Sequence, residues 1–543
     1  MKHAKLLDCT LRDGAYLVDK TFGNMVIRGI ISGLMSAGVD WIEIGFLQDE
    51  GYGEGKTVFK NAADAKKFIP QKKDKCQFAA LADFSRYTID NLDYFKGDSI
   101  DAVRECFYKK ERYDVIEACR KIKQKGYKLF VQPVDILGYS DIELIEFISL
   151  INTVEPYCLS IVDTFGSMFQ EDLQRIFTLI NHNLIKTCKI GFHSHNNMQM
   201  SNALSHEFLR ISNNQREVVI DGTLSGMGRG AGNTPTELLA YYMIDKMGYS
   251  YNMDALLDVI DGYMDNIQSK CSWGYNTPYF IAGAYSAHVN NVVYLKQKNS
   301  IRSKDIRYIL NTIGADARKR YNYDLLEEKY LDLMQSDIDD SKAIIELSHE
   351  LKDRSVLILV PGNSINENRN EILQYIKKYR PIVISVNFID TEIESDFVYM
   401  NNVKRYQYWN QNENFTKVKK ILTSNIMQKR ERCDEIIVSF VKLLKSGWEH
   451  SDNSTIMLLR LLDNFEVESI ALAGFDGYSY ENPKRNNYLS GELELSSIKM
   501  HAFELNEEIG NMLVDYMLSR KNQKIEIYFI TESRFEQYVE RRS

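Results

Sequence analysis

The sequence predicts an α/β protein whose first half is a (β/α)8 barrel of the TIM type, followed by a helical extension and then a second, Rossmann-like α/β domain. Three observations predict the barrel. Short apolar runs alternate with longer segments of helical period from residue 4 to about 247, eight strand-then-helix units fit that length, and polar residues collect where the strands end. An open doubly wound sheet is the competing architecture, but eight regular repeats are unusual for it.

In chain order the strand candidates are Ala4–Leu11, Trp41–Phe46, Cys76–Asp83, Ala102–Tyr108, Lys128–Leu137, Cys158–Thr164, Lys189–Asn197 and Glu217–Thr223. Each is a short apolar run of strand length bounded by turn-forming residues. Between them Asn24–Ala37, Asp114–Lys125, Asp141–Val154, Gln170–Asn181, Gln199–Arg210 and Thr236–Met247 space their apolar residues three and four apart, which predicts helices with one face on a core. Residues 1–247 are therefore assigned to the barrel.

Residues 248–350 lose the strand pattern and become helical and tyrosine-rich, a helical extension that carries His288. Near Lys352 a new pattern begins. VLILVPGNSINENRNEILQYIKKYRPIVISVNF reads as strand, tight turn, helix, strand, and later strands are expected at Asp396–Met400, Val418–Thr423, Glu435–Leu443, Glu468–Ala473 and Lys524–Ile530. Residues 351–543 thus form the second domain, with helices expected at Thr455–Phe465 and Asn506–Ser519. Its VPGNS turn can present backbone N–H groups to a phosphate, and AGFDG can place Asp476 in a crevice, so a nucleotide or sugar ligand is considered there beside a plain strand-to-helix turn.

The 543 residues suit two to four domains, and 44% hydrophobic with 26% charged residues describes a soluble globular chain. A formal charge of -8 argues against nucleic acid as a partner. With no apolar leader and no long apolar span, no membrane is expected and the predicted location is cytoplasmic. Eight cysteines, Cys9, Cys76, Cys106, Cys119, Cys158, Cys188, Cys271 and Cys433, lie far apart with no C-x-x-C pair, so neither disulfides nor a cysteine–zinc site is expected.

The chemistry concentrates in KIGFHSHNN. Residues i and i+2 of a strand share a face, so His193 and His195 project together and can chelate a metal. Asp13, after strand one, and Asn233, after strand eight, add a carboxylate and an amide oxygen from neighbouring strand ends. That mixed N/O set suits a divalent metal ion, Mn2+ or Mg2+ foremost and Co2+ or Zn2+ as alternatives. Asn233 has a second reading as the N-cap of a helix beginning at Thr234. Glu43, in an apolar strand, either tunes a proton transfer or makes a structural hydrogen bond. Asp163 and Thr164 end strand six and are expected to meet substrate. Metal-dependent amidohydrolases carry their His-x-His pair on strand one of a barrel; here it lies on strand seven, which disfavours that chemistry.

DCTLRDGAY, WIEIGF, VDTFG, GFHSHNN and DGTLSGMGRGAGNTPTE, in this order over residues 4–247, resemble the successive motifs of the HMG-CoA lyase-like barrel family, which includes 4-hydroxy-2-oxovalerate aldolase, isopropylmalate synthase and homocitrate synthase. The resemblance implies that Arg12 stabilises an enolate, that Asp13, His193 and His195 bind the metal, and that Asn233 completes its shell. The implied function is a divalent-metal-dependent aldolase, a lyase joining or splitting a C–C bond beside a pyruvate-like 2-oxo acid, with an aldehyde as partner and the protein as a homo-oligomer. Two departures bear on this. Tyr16 stands where the oxovalerate aldolases have a histidine base, which makes Tyr16 and His288 the candidates for proton exchange. The loop after strand eight lacks the cysteine of the lyase branch. The alternatives are a Claisen-type acyltransferase using acyl-CoA and, from a different class, a nucleotide- or sugar-binding module on a degenerate barrel.

Overall fold

The computed structural model describes residues 3–71, 75–213, 215–298, 301–334, 338–426, 435–445, 447–448, 453–479, 502–539 and 541. The chain divides into two compact units, Met1–Val293 with Ile306–Asn322, and Tyr294–Asp305 with Tyr323–Ser543.

In the first unit eight parallel strands close on themselves: β1 (Ala4–Asp8), β2 (Trp41–Leu47), β3 (Gln77–Asp83), β4 (Ala102–Tyr108), β5 (Lys128–Val134), β6 (Cys158–Asp163), β7 (Lys189–Ser194) and β8 (Val218–Gly222). Closure is made by β1, which pairs with both β2 and β8. All eight expected strands are present, and helices Asp141–Val154 and Thr236–Met247 have their expected bounds. Asp141–Val154 starts sharply because Ser140 and Glu143 form a reciprocal capping box.

Three strands, β1, β5 and β7, stop three residues earlier than expected, the first two for local reasons. The Asp8 carboxylate accepts the Thr10 N–H at 2.9 Å, and the chain turns into a helical turn, Thr10–Asp13, instead of continuing as strand to Leu11. After β5, Asp135 takes a left-handed conformation (φ 57°) that no strand continues through. The sequence pattern also missed a two-residue strand, Val58–Phe59, that pairs with the end of β2 beside a bulge between Glu43 and Phe46.

Period-two alternation builds the barrel interior in layers. Leu7, Trp41, Ala79, Ala102, Phe130, Cys158 and Val219 form one buried apolar cluster contributed by seven strands. Two residues further along β2, β4, β5, β6 and β8 stand Glu43, Arg104, Gln132, Ser160 and Asp221, all buried. A polar layer thus lies directly above an apolar floor, on the side where the strands end. The intervening residues, such as Leu6, Ile42, Ile44 and Val103, face the larger core shared with the helices.

In the second unit seven strands form one parallel sheet: β9 (Ser355–Leu359), β10 (Ile382–Val386), β11 (Phe397–Met400), β12 (Lys419–Thr423), β13 (Glu435–Val438), β14 (Ser469–Ala473) and β15 (Glu526–Phe529), in the order β13-β12-β11-β10-β9-β14-β15. This is a doubly wound order whose direction reverses between β9 and β14. β13 ends at Val438, before the expected Leu443, because Ser439 caps a helical turn at Phe440–Leu443. At the reversal the glycines of VPGNS and AGFDG allow close approach: a Cβ on Gly474, whose φ is 77°, would collide with the Val360 carbonyl. The seven described cysteines are free thiols, and Cys433 lies outside the described residues. Among the described residues no helix is long and apolar enough to cross a membrane.

Candidate active site

The helical turn after β1 carries Arg12 and Asp13 inward over the polar layer. Asp13 is 1% exposed, and its Oδ2 lies 3.0 Å from His193 Nε2 and 3.4 Å from His195 Nε2. Among the described residues, neither oxygen of Asp13, nor His193 Nε2, nor Asn233 Oδ1 has a hydrogen-bond partner. Buried polar atoms left without partners are costly, and here they cluster. The three side chains Asp13, His193 and His195 each offer one ligand atom within 4.8 Å of the others.

Both imidazoles are oriented from behind. His195 Nδ1 donates to the Asp163 carbonyl at 2.9 Å, which leaves Nε2 as its lone-pair nitrogen. His193 Nδ1 faces Asp221 Oδ2 at 3.1 Å, and Asp221 is gripped in turn by Arg104. A carboxylate or carbonyl behind each ring is how metal-binding histidines are commonly fixed. Gly166 keeps the β6 loop close to β7, since a Cβ there would stand 2.7 Å from Asn197 N and 2.9 Å from the His195 carbonyl. Burial works against ionisation of Asp13, but Arg12 and the two imidazoles outweigh it and hold the carboxyl well below its ordinary value. His193 is lowered by burial and raised further by Asp13 and Asp221, so a proton and a cation would compete for the same Nε2.

Cys9, His193 and Asp221 form a second group with metal-like spacing. Burial pushes the Cys9 thiol far up, and its S–H donates to the Gly222 carbonyl at 3.3 Å. That trio is therefore a hydrogen-bonded support rather than a donor set, and the fit to a divalent ion lies with Asp13, His193 and His195.

Asn233 sits beside this trio, its backbone bridged to His195. Its Nδ2 donates to the Met227 carbonyl at 3.1 Å, which fixes the amide with Oδ1 left over. The N-cap alternative does not hold, because the helix begins at Thr236 and its N-cap position is Pro235.

Glu43 joins two guanidiniums. Its Oε2 accepts from Arg12 Nε at 2.8 Å and from Arg104 NH1 at 3.0 Å. Arg12 NH1 is 3.2 Å from Asp13, so two of its three nitrogens are committed within the protein. In the amide orientation that satisfies its neighbours, Gln132 accepts from Arg104 Nε and NH2. Arg104, Asp221 and Gln132 escaped the sequence reading. The available signal was parity: Arg104 and Asp221 stand two residues after the inward-facing Ala102 and Val219.

Asp163 and Thr164 are placed at this rim but are occupied by backbone N–H groups, Asp163 by its own loop and Thr164 by the loop after β5. Asp163 Oδ1 accepts from Ser167 N at 2.9 Å and Met168 N at 3.3 Å, and burial raises the carboxyl to about 6. Thr164 Oγ1 accepts from Asp135 N at 2.8 Å. Tyr16 packs edge-on against Phe46 at 5.4 Å, and burial raises its phenol above its ordinary value. His288 is lowered to about 3, chiefly by burial and then by Arg229 and His195. Its Nδ1 accepts the Asn290 N–H at 3.1 Å, so the ring is neutral with its proton on Nε2.

The class these features define is an α/β barrel with a buried carboxylate–bis-histidine cluster beside an arginine–glutamate pair. Residues 3–261, just under half of the chain, match the model of the HMGL-like family. Oxaloacetate decarboxylase of Mycobacterium tuberculosis is 28% identical over 249 residues, 43% of this chain and 68% of that protein. 4-Hydroxy-2-oxovalerate aldolase of Moorella thermoacetica is 26% identical over 311 residues, 55% of this chain and 89% of that protein. Among solved structures, the N-terminal domain of a putative aldolase from Bacteroides vulgatus aligns with a TM-score of 0.48 and 23% identity, covering 54% of this chain and 96% of that domain.

Proposed function

We propose that the barrel is a divalent-metal-dependent aldolase that makes or breaks the C–C bond next to a pyruvate-like 2-oxo acid. The observation that carries this reading is the convergence of the unpartnered, buried donor atoms of Asp13 and His193, with His195, directly beside Arg12. Asp13, His193 and His195, with Asn233 through Oδ1, would hold the ion. Their mixed N/O character suits Mn2+ or Mg2+, with Co2+ or Zn2+ as alternatives. Bound there, a divalent cation supplies Lewis-acid stabilisation for the oxygens of a 2-oxo acid.

The chain's own part follows from its hydrogen bonds. In condensation a proton leaves the carbon beside the keto group, the resulting enolate carbon attacks the aldehyde carbon, and the aldehyde oxygen becomes an alkoxide that takes up a proton. Cleavage is the reverse. Among the described residues Arg12 NH2 has no partner, while Glu43 and Asp13 hold the rest of the guanidinium, so it can donate to the enolate oxygen as charge develops. Tyr16 and His288 both rest as proton donors, the phenol because burial raises it and the imidazole because Nδ1 is already an acceptor. Their resting states suit protonation of the nascent alkoxide, the condensation direction.

The relatives named aldolase and decarboxylase support 2-oxo acid chemistry, and an acyl-CoA-dependent synthase is not favoured. The intact donor set argues against a degenerate barrel. For the second unit we keep a nucleotide or sugar ligand at the reversal of strand order, where Asp476 accepts from Ser364 N at 2.8 Å and Ser364 Oγ meets Thr531 at 2.9 Å.

Deuterium uptake into the methyl group of pyruvate in heavy water, read by mass spectrometry, tests the barrel reading. Exchange should require Mg2+ or Mn2+ and disappear when His193 and His195 are both replaced by alanine in a variant whose circular dichroism is unchanged. Wild-type protein that catalyses no exchange with either ion refutes it.

A further inference from the structure

The loop after β8, GMGRGAGN, holds a guanidinium that the mechanism above leaves unused. Arg229 is half-buried and, among the described residues, its side chain makes no hydrogen bond or ion pair. Its guanidinium carbon lies 3.9 Å from the centroid of the Tyr16 ring, and its charge also acts on His288 and Tyr108. Tyr16 meets Phe46 edge-on, and on Phe46 rests the Lys20 ammonium, 4.8 Å from that ring's centroid. Two cations therefore clamp a pair of aromatic rings within the first unit, and Tyr16 is three residues from Asp13.

The backbone under Arg229 is fixed rather than loose. The Gly232 N–H donates to the Arg229 carbonyl at 3.1 Å, and the Gly232 carbonyl accepts from Asn196 N at 2.8 Å. Asn197, 1% exposed, accepts from Ala231 N at 3.0 Å and donates to the Phe165 carbonyl at 3.0 Å. Arg229 thus rises from a turn pinned to the segment that carries His195. A guanidinium this well held, and without a carboxylate, is pre-organised for an anion.

The surroundings are cationic. Lys20 donates to the neutral Gln48 at 2.9 Å, not to a carboxylate. Arg320 lies 5.5 Å over the ring of Tyr108, and Arg86 is 3.7 Å from Asp83, the carboxylate that meets it. Asp19 adjoins Lys20 in sequence. Burial first, and then Arg86, Lys56 and Arg229, lower the Lys20 ammonium despite Asp19, the expected response to crowded positive charge. Such a field draws an anion toward the site and offsets the cost of bringing the cations together.

We propose that Arg229, supported by Lys20, binds an anionic group, carboxylate or phosphate, on the carbonyl compound that the barrel joins to or releases from its 2-oxo acid. This rests on the aldolase reading, and it sharpens the substrate class from any aldehyde to an aldehyde carrying a negative charge. Tyr16, lying between Arg229 and Phe46, then sets the distance between the anion and the reacting carbonyl. The Tyr16 hydroxyl and the anion-binding guanidinium would face the two ends of one short acceptor.

Two measurements separate this inference from the aldolase reading. In the first, succinic semialdehyde and inorganic phosphate are titrated into the full-length protein by calorimetry at low ionic strength, without turnover. Arg229→Gln should weaken whichever of the two binds by roughly 10- to 100-fold, the loss of a charge-assisted hydrogen-bond pair. Preference for the semialdehyde assigns a carboxylate, and preference for phosphate a phosphorylated aldehyde. Binding unchanged by the substitution, or no binding of either anion, overturns the inference. In the second, aldol addition from pyruvate is timed with anionic and neutral aldehydes of equal chain length. The wild-type ratio of kcat/KM, anionic over neutral, should be about tenfold or more and fall toward one in Arg229→Gln, which removes one such bond. A ratio near one in the wild type, or one that survives the substitution, also overturns it. If wild-type protein exchanges no pyruvate protons yet binds an anion through Arg229, the aldolase reading falls and the anion subsite stands.

Discussion

Asp221→Asn is the most revealing single change, because it alters charge while keeping shape. In and over the polar layer three carboxylates, Asp13, Glu43 and Asp221, meet two guanidiniums, Arg12 and Arg104, leaving one net negative charge before the imidazoles are counted. A divalent cation complements that charge. Burial opposes ionisation of Asp221, but Arg104 and then His193 hold its carboxyl below the ordinary value. The asparagine oxygen can still accept from His193 Nδ1, so the ring keeps its place. What is lost is the negative charge behind the ring and the net charge of the cluster. Losing such a partner typically weakens metal binding 10- to 100-fold, or about 1.4–2.7 kcal/mol. Arg104, 1% exposed, would retain Glu43 and Gln132, so a stability loss of about 1–3 kcal/mol is expected. Competition with a fluorescent chelator measures the affinity, and urea unfolding of the metal-free protein measures the stability. Wild-type metal affinity in Asp221→Asn would refute the claim that this carboxylate prepares His193 as a ligand.

Two further outcomes are expected. Arg12→Lys should reduce aldol turnover by about 2–4 kcal/mol in transition-state terms while metal content stays at the wild-type level, because lysine lacks the planar fork shared between Glu43, Asp13 and substrate; unchanged turnover removes Arg12 from the mechanism. In the second unit, burial raises Asp476 from 3.8 to about 6 despite its bonds to Ser364. The protonated form is thus favoured by folding, and its contribution is complete below about pH 4 and lost as pH rises through about 6. Asp476→Asn, which stays neutral, should therefore match the wild type near about pH 4 and exceed it by on the order of 2–3 kcal/mol near about pH 8. Urea midpoints at the two pH values check this, and an equal gain at both would contradict the assignment.

The barrel was legible in the sequence because strands and helices leave different periods, and the apolar floor and its covering helices follow those periods closely. The donor trio was legible for a related reason. Two histidines at i and i+2 share a strand face wherever they fall, and a carboxylate just after β1 sits at the same rim. Period, however, reports only which way a side chain points. It does not report which neighbour it meets. Arg104 reaches Asp221 across 117 residues and Glu43 across 61, pairings set by how the strands close into a ring and at what register. For the same reason Asp163 and Thr164 carry the right residue types at the right rim, yet their polar atoms cap backbone N–H groups of their own loop and of the loop after β5, which only the folded backbone decides. The protonation of His288 followed neither from its type nor from its position. An Asn290 N–H on Nδ1, with burial and nearby cations, made it a donor where the sequence alone left it an ordinary imidazole. The sequence by itself determined the barrel, the face of each strand and the residue types that gather at the rim; closure of the barrel decided the partners, because hydrogen bonds and charges act over a few ångströms in space and are indifferent to distance along the chain.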